Sequence, residues 1–137
     1  MKKKFLLFIA MITVFIILLL QYRNITTKGK TDPVLVEYGN SKKFSREEIQ
    51  AAMDCVLKEF KSFKGCTLQR LYYDESVSNN EFGSDNINGI VLLSDFCADV
   101  SYSGSVYEPG EENTEYSWLL VRDSKFSKWV LKSCGYA

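Results

Sequence analysis

The chain has 137 residues, with 17 basic and 17 acidic side chains, no histidine, four cysteines and a large aromatic complement of two Trp, eight Tyr and nine Phe. At about 100–200 residues per domain, this allows one folded domain beside any targeting segment. A formal net charge of zero gives no support to nucleic-acid binding, which needs a basic surface to neutralise phosphates. Without histidine, Ser-His-Asp and Cys-His nucleophiles, His-containing zinc sites and the usual neutral-pH proton shuttle are excluded.

Lys2, Lys3 and Lys4 precede residues 5–20 (FLLFIAMITVFIILLL), in which only Thr13 is polar. At ~1.5 Å per residue this run covers about 24 Å of helix, short of a ~30 Å hydrocarbon core. The long stems of Lys4 and Arg23 make up part of the difference by snorkelling, and Tyr22 suits the interface. Three leading lysines place the N-terminus in the cytoplasm and the rest outside. Gln21 to Ile25 offer no A-x-A-like cleavage site, and the first cysteine is Cys55, too late for a lipoprotein. An uncleaved signal anchor in the cell membrane is therefore expected, a secreted domain after signal cleavage being the alternative. With no polar face, the run does not read as the helix of a soluble core. The expected organisation is a cytoplasmic stub and transmembrane signal anchor over 1–22, an extracytoplasmic linker over 23–43 and an α+β domain over 44–137.

The linker has stalk-like composition (NITTKGKTDP, later GNSKK), interrupted by Val34-Leu35-Val36, which is either a short strand or a surface segment. Asn24-Ile25-Thr26 fits a glycosylation sequon, but it lies against the membrane and is read as chance. A helix then begins with a full set of start signals. Ser45 is the N-cap and Glu48 the N3 partner of a capping box, flanked by Phe44 and Ile49 as a hydrophobic staple. Ile49, Ala52, Met53, Val56, Phe60 and Phe63 recur at helical spacing and mark a core face, and Gly65 is placed to end the helix.

Beyond Gly65 the period changes to two. Residues 66–73 (CTLQRLYY), 89–100 (GIVLLSDFCADV), 115–123 (EYSWLLVRD) and 128–136 (KWVLKSCGY) read as strands, separated by turn-rich stretches. The short 123–127 segment makes the last two antiparallel neighbours. With no second long helical pattern, parallel βαβ crossovers are not expected. The predicted fold is α+β, with an N-terminal transmembrane helix and then one long helix laid across a four-stranded antiparallel sheet.

The stretches GNSKKFSREEIQAAMDCVLKEFKSFKGCTLQRLYYDE, IVLLSDF and WLLVRDSKFSKWVLKSCGY resemble a family of bacterial exported proteins, mostly from Gram-positive anaerobes, that are lipoproteins or membrane-anchored and carry a domain of unknown function. The resemblance covers roughly residues 37–136 and is most specific at 63–68, at 90–96 and in the closing segment 129–136. It implies a cystatin-like (nuclear-transport-factor-like) layout, in agreement with the element order. It implies no catalytic residues. Ser133-Cys134 departs from the acidic pair expected at that place.

Three constellations invite chemistry. From Leu71 to Val121 there is no Lys or Arg, whereas ten acids fall inside: Asp74, Glu75, Glu81, Asp85, Asp95, Asp99, Glu108, Glu111, Glu112 and Glu115. These read first as solvated loops, second as a calcium site or a face for a basic partner. Asp85-Asn86-Ile87-Asn88-Gly89 fails calcium-loop spacing because Ile87 takes a ligand position. Asp95 and Asp99, four apart on one strand, are ~13 Å apart, beyond the reach of glycosidase carboxylate pairs. On alternation they share a solvent-side face with Val91, Leu93 and Cys97, while Ile90, Leu92, Ser94, Phe96, Ala98 and Val100 form the core face.

Among the cysteines, Cys55 and Cys66 are separated by half a helix and Cys97 and Cys134 by an intervening strand, so neither pair is in bridging distance. Pairing of Cys66 with Cys97 or Cys134 depends on strand neighbours. Free buried thiols are the expected state, and scattered single cysteines do not make a metal site. No catalytic, cofactor-binding or metal-binding residue is singled out. Apart from the membrane around residues 5–20, the sequence points to an unidentified protein or small-ligand partner and to no nucleic acid. A binding module is favoured. The alternative is a carboxylate-dependent enzyme using a pocket between helix and sheet.

Overall fold

The structure is a computed structural model that describes residues 1–100, 102 and 104–136. Helix α1 (Lys2–Thr27) contains neither Gly nor Pro, and its apolar side chains from Phe5 to Leu20 are exposed. Thr13 returns its hydroxyl to the carbonyls of Ile9 (3.2 Å) and Ala10 (2.8 Å), which leaves the apolar stretch without a free side-chain polar group. The helix is long and apolar enough to cross a membrane or to serve as a signal sequence.

Strand β1 (Leu35–Glu37) follows, then helix α2 (Arg46–Phe60). Both arms of the capping box are present: Glu48 N–H donates to Ser45 Oγ, and Ser45 N–H donates to the Glu48 carboxylate. Ser45→Ala removes one arm and is expected to lower stability by about 0.5–2 kcal/mol. An unchanged denaturant midpoint would show that the cap contributes nothing. Helix α2 stops at Phe60, earlier than the Gly65 stop expected from sequence. The reason is tertiary. Gly29 N–H donates to the Lys61 carbonyl, and Ser62 and Phe63 turn back onto Glu59 and Phe60. Gly65, at φ +71°, then redirects the chain into β2, with no room for a Cβ beside the Tyr102 ring.

The sheet consists of β1, β2 (Cys66–Tyr73), β3 (Gly89–Ala98), β4 (Glu112–Val121) and β5 (Val130–Gly135), in that spatial order. Strands β2 to β5 form the expected antiparallel meander, but β1 joins β2 in parallel, Val36 opposite Leu71. The sheet thus has five strands, not four antiparallel ones, and β1–α2–β2 is a parallel crossover that the sequence pattern did not announce. Three residues are too few to establish a period of two. The 23–43 segment expected as a linker accordingly holds the last turn of α1 and strand β1, with Lys30 bridged to Thr67 as well.

A third helix, α3 (Glu75–Phe82), is a further departure. Its eight residues (ESVSNNEF) are too polar to show an apolar stripe, yet the start and stop are legible. Asp74 accepts from Ser76 N–H as the N-cap, and Gly83 follows the last turn at φ +85°. The long α2 covers one face of the sheet, where Ile49, Met53, Val56, Phe60, Leu68, Leu71, Ile90, Leu92, Phe96, Trp118 and Leu120 are fully buried. The shorter α3 lies over β3 and covers part of the sheet around Val91, whose N–H donates to the buried Ser78 hydroxyl (3.2 Å).

Candidate binding surface

The space between α2 and the sheet is filled. Phe60, Phe63, Phe96, Tyr107, Tyr116 and Trp118 pack with neighbouring ring centroids 5.0–6.4 Å apart. Trp118 Nε1–H donates to Ser94 Oγ at 2.8 Å, so the one polar atom of the buried indole is satisfied. The Tyr116 hydroxyl donates to Cys134 Sγ at 3.6 Å. Burial, with Cys134 and Tyr107 as neighbours, pushes the Tyr116 phenol well above its ordinary value, and burial raises Tyr73 and Tyr107 in the same sense. Groups whose folded-state pKa is raised stabilise fully below the unfolded value of about 10 and lose that contribution as pH rises above it. The denaturant midpoint is therefore expected to fall between pH 9.5 and 11, with tyrosinate absorbance completed only on unfolding. Full ionisation of all tyrosines in the folded protein would contradict this packing.

At the opposite end of α2, Arg122 is the hub. Its side chain is 2% exposed and reaches Glu48 Oε1 at 2.8 Å. It also donates to the Ile87 carbonyl through Nε (3.0 Å) and Nη2 (2.8 Å), and to the Lys125 carbonyl through Nη1 (3.0 Å). The Trp129 ring lies 4.3 Å from the guanidinium carbon, and Trp129 Nε1–H is held by the Glu48 carbonyl at 3.0 Å. Burial by itself would raise the Glu48 carboxyl, but the Ser45 N–H and the guanidinium more than offset it and hold it below its ordinary value. The 85–89 segment, weighed above as a calcium loop, thus wraps a guanidinium, and its Ile87 carbonyl accepts two hydrogen bonds from that cation.

The acids singled out in the sequence go to separate partners. Asp95 accepts from Glu115 N–H (2.9 Å) at a β-bulge and lies 3.6 Å from Arg70 Nη1. Arg70 also pairs with Glu37 and stacks over Tyr72, 3.9 Å from the ring centroid. Asp99 takes Lys30 Nζ (3.0 Å) and the Thr67 hydroxyl (2.9 Å). Asp74 caps α3, and Glu75 accepts from Ser41 Oγ and Lys42 N–H. The structure does not bring Asp95 and Asp99 together as a pair. All four thiols are free. Cys66 and Cys97 lie on neighbouring strands, but Cys97 is opposite Thr67, so alternation points the two thiols to opposite faces.

A surface hollow of about 550 Å³ lies between α2 and the β4–β5 hairpin, bordered by Glu48, Asp54, Lys58, Arg122 and Trp129, and the outer face of the sheet is open as well. Ile90, Leu92, Ser94, Phe96 and Ala98 form the core face as expected, whereas Val100, expected with them, lies beyond the end of β3 and is 78% exposed. Val91 and Leu93, expected toward solvent, are buried as well, because α3 packs over β3. Between α3 and the strands runs an open groove of about 480 Å³. Val77, Asn80 and Glu81 form one wall, Val91 and Leu119 the apolar floor, and Ser133 to Tyr136 the far wall. That far wall is the end of β5, which is an edge strand of the sheet among the described residues. Its Val130 and Tyr136 are about 60% exposed, at 60% and 59%. Compared with known protein families, curated proteins and solved structures, the chain matches none. The sequence reading named no residue of this groove as a site, since the groove depends on α3; Asp74 and Gly83 were the signals that bracketed it.

Proposed function

We propose that this is a single-pass membrane protein whose α1 is an uncleaved signal anchor, and whose extracytoplasmic domain is a non-enzymatic, protein-binding module of cystatin-like layout. The carrying observation is the contrast between the two sheet faces. The interior between the C-terminal half of α2 and the sheet is packed with aromatic rings, and the open space of about 550 Å³ along α2 is a surface hollow lined mainly by charged side chains, whereas the α3 side offers a groove with an apolar floor beside the β5 edge. A free edge presents unpaired N–H and C=O groups that an extended segment of a partner can complete, with the groove taking alternate side chains.

The test is in-cell crosslinking of the tagged full-length chain, followed by membrane fractionation and mass spectrometry. Leu119→Glu places a charge on the groove floor, while Lys125→Glu alters only the exposed hairpin. A partner captured by the parent chain and by Lys125→Glu, but reduced at least about tenfold in Leu119→Glu, is the expected result, since an unpaired charge against an apolar contact costs well over 1.4 kcal/mol. Equal capture by both variants would exclude the groove, and recovery of the chain from the medium would exclude the anchor.

A further inference from the structure

We infer that the domain is docked on the membrane surface, not tethered above it, and that the 61–65 turn together with Lys28 forms a seat for anionic phospholipid headgroups; this rests on the membrane-anchor reading above. The join between α1 and the domain is not a free stalk. The Thr27 carbonyl accepts from Gly65 N–H (2.9 Å), Gly29 N–H donates to the Lys61 carbonyl (3.1 Å), and Lys30 exchanges hydrogen bonds with Cys66 and Leu68 (2.9 and 2.8 Å). Gly29 fits so closely that a Cβ there would lie 2.1 Å from the Phe60 carbonyl oxygen. Residues 27–30 therefore belong to the domain.

Helix geometry then fixes the height. The run from Phe5 to Leu20, with Lys4 and Arg23 snorkelling at its two ends, places Tyr22 at the outer interface. Thr27 is five residues further, about 7.5 Å, against a headgroup layer roughly 5–7 Å thick. The turn bonded to residues 27–29 thus lies at the outer edge of the headgroups. It presents Lys61, Ser62 and Lys64, all exposed, beside exposed Lys28, with Val106 at 93% exposure on the other side of a cleft of about 310 Å³. Lysines on a surface at this depth fit lipid phosphates, and an exposed valine suits the interface. Of the acids at the same end, Asp99 is paired with Lys30, and the Glu111 carboxylate accepts from Glu108 N–H.

The test uses the full chain in vesicles of phosphatidylcholine and phosphatidylglycerol, with the photocrosslinker p-benzoylphenylalanine at Ser62, or at Ser124 in the hairpin at the opposite end of α2. Lipid adducts are expected at Ser62 and not at Ser124. Lys61→Gln and Lys64→Gln are each expected to lower the Ser62 yield by about fivefold, the weight of one lysine near an anionic surface. A flexible insert of about ten Gly/Ser residues after Arg23 raises the domain by roughly 17 Å and should bring Ser62 down to the Ser124 level. If the chain resists carbonate extraction but Ser62 and Ser124 give equal adducts, the docking inference fails and the anchor stands. If carbonate releases the chain, the anchor reading fails and the inference with it.

Discussion

Arg122→Met is expected to destabilise the domain by about 3 kcal/mol, at the lower end of the range for breaking a buried pair. The side chain is 2% exposed, and its loss strands three acceptors: the Glu48 carboxylate and the carbonyls of Ile87 and Lys125. Glu48 keeps 18% exposure, so water recovers part of its solvation, which is why the upper end is not reached. Denaturant unfolding of the full-length protein in detergent, followed by far-ultraviolet circular dichroism, measures it. Arg122→Met combined with Glu48→Met should cost clearly less than the two single losses added, because the double variant leaves no unpaired carboxylate. Strict additivity would mean that Arg122 stabilises the domain without coupling to Glu48, through the Ile87 and Lys125 carbonyls and the Trp129 ring.

Trp118→Ala is expected to cost about 3–5 kcal/mol. The indole is fully buried and lies within 6.3 Å of Phe60, Phe63 and Tyr116, ring centroid to ring centroid. Its removal opens a cavity that these rigid rings cannot close, and Ser94 Oγ loses its donor. Against a typical domain stability of about 5–15 kcal/mol, a loss of that size leaves a substantial unfolded fraction at physiological temperature. Phe126→Ala is the matched control. That ring is 96% exposed, and the change should stay within about 0.5 kcal/mol. A Trp118→Ala loss below about 1.5 kcal/mol would show that the aromatic layer repacks and that a cavity is available on the α2 side.

Local rules explain how much of this was legible. The capping box at Ser45 and Glu48 and the core stripe from Ile49 to Phe60 follow from spacing alone. So do the antiparallel order of the last four strands and the burial of Ile90, Leu92 and Phe96, because period and turn chemistry act within a few residues. Phe63 marks where that reasoning stopped. Its spacing continued the helical stripe, but the chain had already turned at Lys61, and the ring joins the core from the turn. Asp95 and Asp99 were read as four apart on one regular strand, but a bulge at Asp95 and the end of β3 at Ala98 break that strand, and nothing local named Arg70 and Lys30 as their partners.

The sequence by itself determined a long apolar N-terminal helix, one amphipathic helix and an antiparallel meander, since each needs only its own residues to be recognised. The tertiary structure decided the rest. Strand β1 is three residues whose identity comes from pairing with β2, and α3 is a polar helix of about two turns fixed by Asp74, Gly83 and the β3 surface beneath it. Arg122 became a buried hub because the 87 carbonyl, the hairpin and α2 converge on it from positions up to 74 residues away. Contacts at such separations depend on how the elements pack, and no periodicity along the chain records them.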